Sequence, residues 1–350
     1  MKQMKQQIQE LLQIQAPSGS EYKVSKYLMP KLEKLVDSTW LDGYGNLLGE
    51  RKVGNGDGAT ILLSAHMDTV RNIKKDRKVK ERNGVFTSTK GVLGGDDRAG
   101  IAIIMAVLRN IEKTSFQGTI KVAFSREEEI GCVGSGKIDP KFYDESDLAI
   151  VVDRRGNRDI VTGCMTPFCN PKVGQFFEEC SAMLDMDWKA TEGGMSDATT
   201  FSDQGVNSVN LSAGYYNEHT PQEMLVYKHM QDTVNLILQA FAQVNLFVGD
   251  FGEVPSYDEL AYGYGYGSYG YFEDDFQDSM YEFNDLFGYT TVDSRGGIVY
   301  ISQHGRGGFL EEVMIEEDTM DGIVDEYLRT KYGKHYKENL DEFKTKVALD

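Results

Sequence analysis

The feature that most constrains this chain is a set of short, unbroken apolar runs, Thr60–Ala65, Thr119–Phe124 and Leu148–Val152, separated by stretches of helical period. A run that is apolar at every position, not at every second one, suits a strand buried on both faces. Val209-Asn210-Leu211 is a weaker run of the same kind. Helical spacing marks Met4, Ile8, Leu11 and Leu12 ahead of Ala16-Pro17-Ser18-Gly19. It marks Val24, Leu28, Leu32 and Leu35 over about residues 21–36, where Pro30 is a candidate kink. It returns over residues 99–111 and over about residues 222–247, with Met230, Val234, Ile237, Leu238 and Phe241 on one face. Leu47 and Leu48 open a further β pattern, and Gly54–Gly58 suggests a hairpin turn leading into the Thr60 run. Strands alternating with helices predict a three-layer α/β/α sandwich on a largely parallel, mixed central sheet.

The pattern stops near residue 250, where Tyr262–Tyr271 is a low-complexity Tyr/Gly stretch followed by Glu273, Asp274, Asp275 and Asp278. The expected organisation is an α/β domain over 1–249, an acidic Tyr/Gly-rich linker over 250–295, and a short strand with a charged helical tail over 296–350. The linker has a second reading as a tyrosine-rich contact surface or flap. With 350 residues, 40% of them hydrophobic, the chain can bury a substantial core. A net charge of -18 argues against nucleic acid or an anionic membrane as partner, since phosphates are repelled. The first residues hold no apolar core of signal-peptide length, and no later segment is long enough to span a bilayer, so a cytoplasmic protein is expected. Cys132, Cys164, Cys169 and Cys180 lack CxxC spacing, which points to reduced thiols and to neither a disulfide framework nor a structural zinc knuckle.

Chemistry-bearing residues follow the strands. The first ends in His66-Met67-Asp68, the second in Glu127-Glu128-Glu129, the third in Asp153, and His219 follows the fourth. Gly94-Gly95-Asp96-Asp97 opens a helix between the first two. Each has an ordinary reading: Asp96-Asp97 as a helix cap, the three glutamates as a solvated charge run, His219 as a loop histidine. Their joint recurrence at one edge of one sheet, where open α/β folds bind ligands, is what chance explains poorly. Two divalent ions roughly 3.5–4 Å apart need a bridging carboxylate and mixed nitrogen and oxygen donors. His-x-Asp on an extended segment puts both side chains on one side, so Asp68 can hold the second imidazole nitrogen of His66.

This series resembles that of the co-catalytic zinc exopeptidases, the superfamily of peptidase T, the glutamate carboxypeptidases, the acetylornithine deacetylases and the related zinc aminopeptidases. The resemblance rests on His66-Met67-Asp68, Asp96-Asp97-Arg98-Ala99-Gly100, Glu128-Glu129-Ile130-Gly131, Asp153 and His219, with support from Ala16–Glu21 and Gly193–Ala198. It covers about residues 5–248. It implies that Asp96 bridges two ions, that His66 and Asp153 complete one site, and that Glu129 and His219 complete the other. It also implies Glu128 as general base and Asp68 as the residue orienting His66. Peptidase T and the carboxypeptidases insert a second domain between the third-strand carboxylate and the late histidine. The residues between Asp153 and His219 leave no room for one, so a compact, aminopeptidase-like form is expected, and oligomeric state is left open.

The expected activity is hydrolysis of a peptide bond by metal-activated water, with zinc, or cobalt or manganese, as the ion. The expected substrates are short peptides, whose free amine could meet a metal or an acidic group such as Glu192, Asp197 or Glu218. One alternative is a deacylase acting on N-acyl amino acids. Another, of a different class, is a catalytically silent, metal-stabilised scaffold. His229, His304 and His335 stand outside the series and are read as structural or surface residues.

Overall fold

The computed structural model describes residues 2–70, 74 and 76–255, and the backbone of 289–295, 298–305 and 308–315. It divides into two units, Met1–Gly263 and Tyr264–Asp350, each described by itself.

In the first unit, strands β1 (Ser38–Leu41), β2 (Leu47–Val53), β3 (Thr60–His66), β6 (Gly118–Ser125), β7 (Leu148–Arg154), β8 (Asp159–Cys164), β9 (Thr166–Pro167), β10 (Lys189–Glu192) and β11 (Ser208–Ser212) form one sheet. Its order is β1-β2-β6-β3-β7-β11-β8-β10, with β9 on β8. The central four, β6, β3, β7 and β11, are mutually parallel, so their carboxyl ends share one edge. Alternation along β3 sends Ile61, Leu63 and Ala65 into one buried cluster and Leu62 into the other, the pattern expected of a strand covered on both faces.

The larger cluster receives α1 (Lys2–Leu11), α2 (Tyr22–Leu32), α3 (Gly95–Asn110), α4 (Pro171–Ala182) and α6 (Tyr227–Phe247). The smaller is closed by α5 (Asp197–Ser202) with Ile138 and Tyr143. The sandwich is thus three-layered but unequal. A second sheet, β12 (Tyr215–Tyr216), β13 (Met224–Val226), β5 (Val85–Ser88) and β4 (Val79–Arg82), runs in that order. Among the described residues no helix is long and apolar enough to cross a membrane.

Three local expectations change. Gly54–Gly58 does not join a hairpin, because β6 lies between β2 and β3. An apolar strand such as β3 needs ladder partners on both edges, and the parallel β6 and β7 supply them. The last long helix starts at Tyr227 and not near Gln222, since Met224–Val226 pairs with β5 as β13. The β4–β5 hairpin turns at Asn83-Gly84, both at positive φ, the dipeptide that two-residue turns favour.

The second unit holds β14 (Tyr289–Arg295), β15 (Ile298–Gly305) and β16 (Gly308–Ile315) as an antiparallel sheet. Strand β14 lies in what the sequence suggests is linker, and β16 in what it suggests is helical tail. The registers Arg295↔Ile298 and Gly305↔Gly308 leave two residues to each connection. The sequence there is Gly296-Gly297 and Arg306-Gly307, and such glycine-bearing pairs favour hairpins over the helical propensity of the glutamates. The Tyr/Gly stretch and His335 lie outside the described residues.

Candidate metal centre

The shared carboxyl edge collects the residues of the motif series. His66 ends β3, Ser125 ends β6 in register with it, and Asp153 lies one residue before the end of β7. Asp96 stands at the mouth of α3, where Asp96 and Asp97 depart from helical geometry. The departure divides their work. Asp97 Oδ1 accepts the Gly100 N–H at 2.8 Å, a helix-capping bond, while Asp96 turns to the imidazoles. Gly100 itself is required, because a Cβ there would lie 2.0 Å from the Val152 carbonyl oxygen. Gly131 turns the Glu128–Glu129 loop at φ +107, where a side chain is disfavoured.

Asp96 spans two groups of donors. Its Oδ1 lies 3.0 Å from His66 Nε2, which is 3.4 Å from Asp153 Oδ1 and 3.8 Å from Glu128 Oε2. Its Oδ2 lies 3.1 Å from His219 Nε2, which is 2.7 Å from Glu129 Oε2. His66, Glu128 and Asp153 offer donor atoms all within 4.8 Å of one another, and so do His66, Asp96 and Glu129.

Asp68 is a hub. Its Oδ1 lies 3.1 Å from His66 Nδ1 and accepts the Glu128 N–H at 3.0 Å. Its Oδ2 accepts the Ser18 hydroxyl at 2.8 Å and the Glu129 N–H at 3.2 Å. One carboxylate therefore orients the imidazole and shapes the glutamate loop. The Ala16–Glu21 segment acquires a physical reason too. Ser18 holds Asp68, and Glu21, 1% exposed, holds Arg126 Nε at 2.8 Å. Glu127 is drawn away from the centre by Tyr44 and Arg126, which leaves Glu128 facing it.

Three further residues, Arg98 of the Asp96–Gly100 motif and Tyr215 and Glu223 outside the motifs, support the centre. Arg98 is 1% exposed and donates to the Met67 and Asp68 carbonyls at 2.7 and 3.2 Å. Tyr215 donates to Asp153 Oδ1 at 3.1 Å. Glu223 accepts the N–H groups of Gly94, Gly95 and Asp96 at 2.8, 2.6 and 3.2 Å. Asn210 could have been suspected as the one polar residue of its apolar run; its Oδ1 accepts the Asp153 N–H at 2.8 Å. His229 lies apart, with Nδ1 2.8 Å from the Tyr216 hydroxyl. None of the four cysteines forms a disulfide among the described residues. Cys132 donates to Glu128 Oε1 at 3.5 Å and borders a cavity of about 510 Å³ also lined by Ile138, Tyr143, Met195 and Thr200.

Charge is heavily unbalanced here. Burial pushes the Glu128 carboxyl well above the ordinary carboxylate range, and Asp153 adds to the shift. Burial likewise lifts Asp153 to about 7 against the pull of His66, and Glu223 to about 7 against its backbone donors. For Asp96 burial also works upward, but His219 and His66 outweigh it and hold the carboxyl far below its usual range. His219 is pushed up to about 12, burial opposing and Glu129 and Asp96 prevailing. Four carboxylates against two imidazoles is a surplus that bound divalent cations would neutralise, and the donor types suit them.

Known proteins share this frame. Residues 85–236 match the M42 glutamyl aminopeptidase family. Protein YqjE of Bacillus subtilis is 31% identical over 147 residues, covering 39% of this chain and 39% of that protein. Peptidase T of Clostridium novyi is 33% identical over 106 residues, covering 29% of this chain and 26% of the enzyme. The match to YqjE, the longer of these two, thus spans about two-fifths of that relative's length. The aminopeptidase PepT structure from Bacillus cereus superposes with a TM-score of 0.63 at 17% identity, covering 69% of this chain and 98% of that one. A tripeptidase from Staphylococcus aureus gives 0.63 at 16% identity, covering 70% and 98%. The chain is thus similar in fold to the aminopeptidase PepT structure and in part of its sequence to M42 aminopeptidases and peptidase T, and every strand from Asp153 to Ser212 belongs to its central sheet.

Proposed function

We propose that the chain is a metal-dependent exopeptidase that removes residues from the amino end of short peptides. The observation that carries this reading is the Asp96 carboxylate, one oxygen toward His66 and Asp153 and the other toward Glu129 and His219. On this reading His66, Asp153 and Asp96 hold one divalent ion, and Glu129, His219 and Asp96 a second. Zinc, or cobalt or manganese, would supply Lewis-acid polarisation of the scissile carbonyl and an acidified water. The chain's residues do the rest. Asp68 fixes the His66 ring so that Nε2 faces the centre. Glu128, largely buried beside His66, would accept the proton of the attacking water and return it to the leaving amine nitrogen. The cavity beside Cys132 and Met195 receives a side chain next to the cleaved bond.

Fold, relatives and donor set together favour the exopeptidase over the N-acyl deacylase and over a silent scaffold. A soluble, cytoplasmic setting and a peptide partner belong to the same proposal. The test is metal content and turnover on tripeptides, before and after chelation and after adding back zinc, cobalt or manganese. Expected are up to two ions per chain, loss of hydrolysis on chelation, and its return with metal. Undiminished hydrolysis by chelated, metal-free protein overturns the reading.

A further inference from the structure

The loop that carries His219 contains a buried acid with no role in the scheme above. Asn217 and His219 both take left-handed backbone conformations, at φ 52 and 63, which side-chain-bearing residues seldom adopt. Both are exposed, yet Glu218 between them is only 9% exposed. Its Oε1 is held by Arg155 Nη2. Its Oε2 is buried and has no hydrogen-bond partner. A buried carboxylate oxygen without a donor is costly, so its retention calls for a donor supplied from elsewhere.

The placement says where that donor comes from. Glu218 directly precedes His219, and Arg155 follows Asp153 by two residues, so the ion pair is tied at both ends to residues assigned as metal ligands. Arg155, with a side chain 34% exposed, holds one oxygen of Glu218 in place, and the Glu218 charge acts on Tyr215, whose hydroxyl donates to Asp153 Oδ1. The other acids near the site are less suited. Glu192 is exposed, on the strand that ends the sheet. Asp197, 1% exposed, likewise leaves one oxygen unpartnered, but its other oxygen is held by the Ser125 hydroxyl and not by a guanidinium.

We propose that Glu218 Oε2 binds the free α-ammonium of the substrate. This deepens the exopeptidase reading and rests on it. An ammonium offers three N–H donors and a compensating charge to a carboxylate. An N-acyl group would turn a carbonyl oxygen toward the same carboxylate, an unpaired and repulsive contact. Glu218 thereby selects unblocked amino ends.

The test compares a tripeptide with its des-amino analogue, hydrogen replacing the α-amine, on the metal-loaded full chain. Metal content is measured alongside. Wild type is expected to favour the amine by 10-fold or more, chiefly in KM, and to be inhibited more tightly by an amino-acid amide than by its des-amino form. Glu218→Gln should keep its metal and lower both preferences by about 10-fold or more, with kcat for the tripeptide changed far less. An unchanged preference in a metal-replete Glu218→Gln overturns the assignment. Should that variant not fold, Glu218→Asp withdraws the carboxylate by one methylene and the same ratios must fall; unchanged ratios there overturn it equally. If loaded wild type cleaves neither series, the exopeptidase reading itself fails, a result separate from an unchanged ratio.

Discussion

His66 and His219 face the two oxygens of one carboxylate and are held in opposite ways. His66 sits at the end of a central strand with its side chain 1% exposed, braced by Asp68, which is itself fastened to Ser18 and to the Glu128 and Glu129 backbone. His219 sits on a loop with its side chain 39% exposed, and of the described protein groups only Asp96 and Glu129 lie within ion-pair distance of its ring. Strand-edge donors are preorganised by the sheet's hydrogen-bonded registers. Loop donors are placed by a few local bonds and can adjust as substrate arrives. A centre built half from each can hold metal firmly on one side and admit a substrate on the other.

Replacing the residue common to both halves should have the largest effect. Asp96→Asn removes the charge that both imidazoles face. The expected loss in kcat/KM exceeds about 10⁴-fold, with metal content reduced at both sites. Metal analysis beside tripeptide kinetics decides it. Retention of full metal and activity would mean that the two halves do not meet at Asp96.

Glu128→Gln separates chemistry from metal binding. Its Oε2 is 3.8 Å from His66 Nε2, farther than Asp96 Oδ1 at 3.0 Å and Asp153 Oδ1 at 3.4 Å. The loss should fall entirely in kcat, by about 10²–10⁴-fold, at unchanged metal content. Loss of metal from this variant would move Glu128 from base to ligand, as its grouping with His66 and Asp153 allows.

Asp68→Asn weakens chiefly the strand half, where it touches the imidazole itself. A carboxylate behind a ligating imidazole sets its ring orientation and basicity, and its loss costs about 10–100-fold in metal affinity or activity. The ion held by His66 should be lost more readily from this variant, and competition with a coloured chelator measures it. Equal weakening of both ions would mean that the halves are not held independently.

The same contrast explains what the sequence made legible. Donors of the strand half follow apolar runs directly, so strand prediction locates them. The rule that ligands gather at the carboxyl edge of parallel strands is enough to bring His66, Glu128, Glu129 and Asp153 forward as candidates. The groups that brace them come from far along the chain. Ser18 reaches Asp68 across 50 positions and Glu223 reaches Gly95 across 128, and no local pattern announces such pairs. The misplaced hairpin at Gly54–Gly58 has the same cause. Gly54–Gly58 does reverse the chain, but which strand becomes the neighbour is set by the non-local insertion of β6. The Asn83-Gly84 hairpin is the converse, a turn whose chemistry is wholly local. The domain behind Asp250 was hardest, since its glycines serve linker and hairpin alike.

The smallest effect should come from Glu223, the brace nearest the loop half. Its two oxygens gather three N–H groups at the turn that delivers Asp96, and it lies four residues beyond His219 on the same loop. Glu223→Gln keeps one carbonyl acceptor, which can serve Gly95 and Asp96, and turns a donor toward the Gly94 N–H. One charge-assisted bond is lost, worth about 1.5–3 kcal/mol. Only part of that reaches the metal, because β13 still anchors the loop through its pairing with β5. A drop of about 3–10-fold in affinity for the ion shared by His219 and Glu129 is therefore expected, with the His66 ion little changed. If instead the His66 ion weakens equally, Asp96 transmits the disturbance from one half to the other, and the loop half is no more adjustable than the strand half.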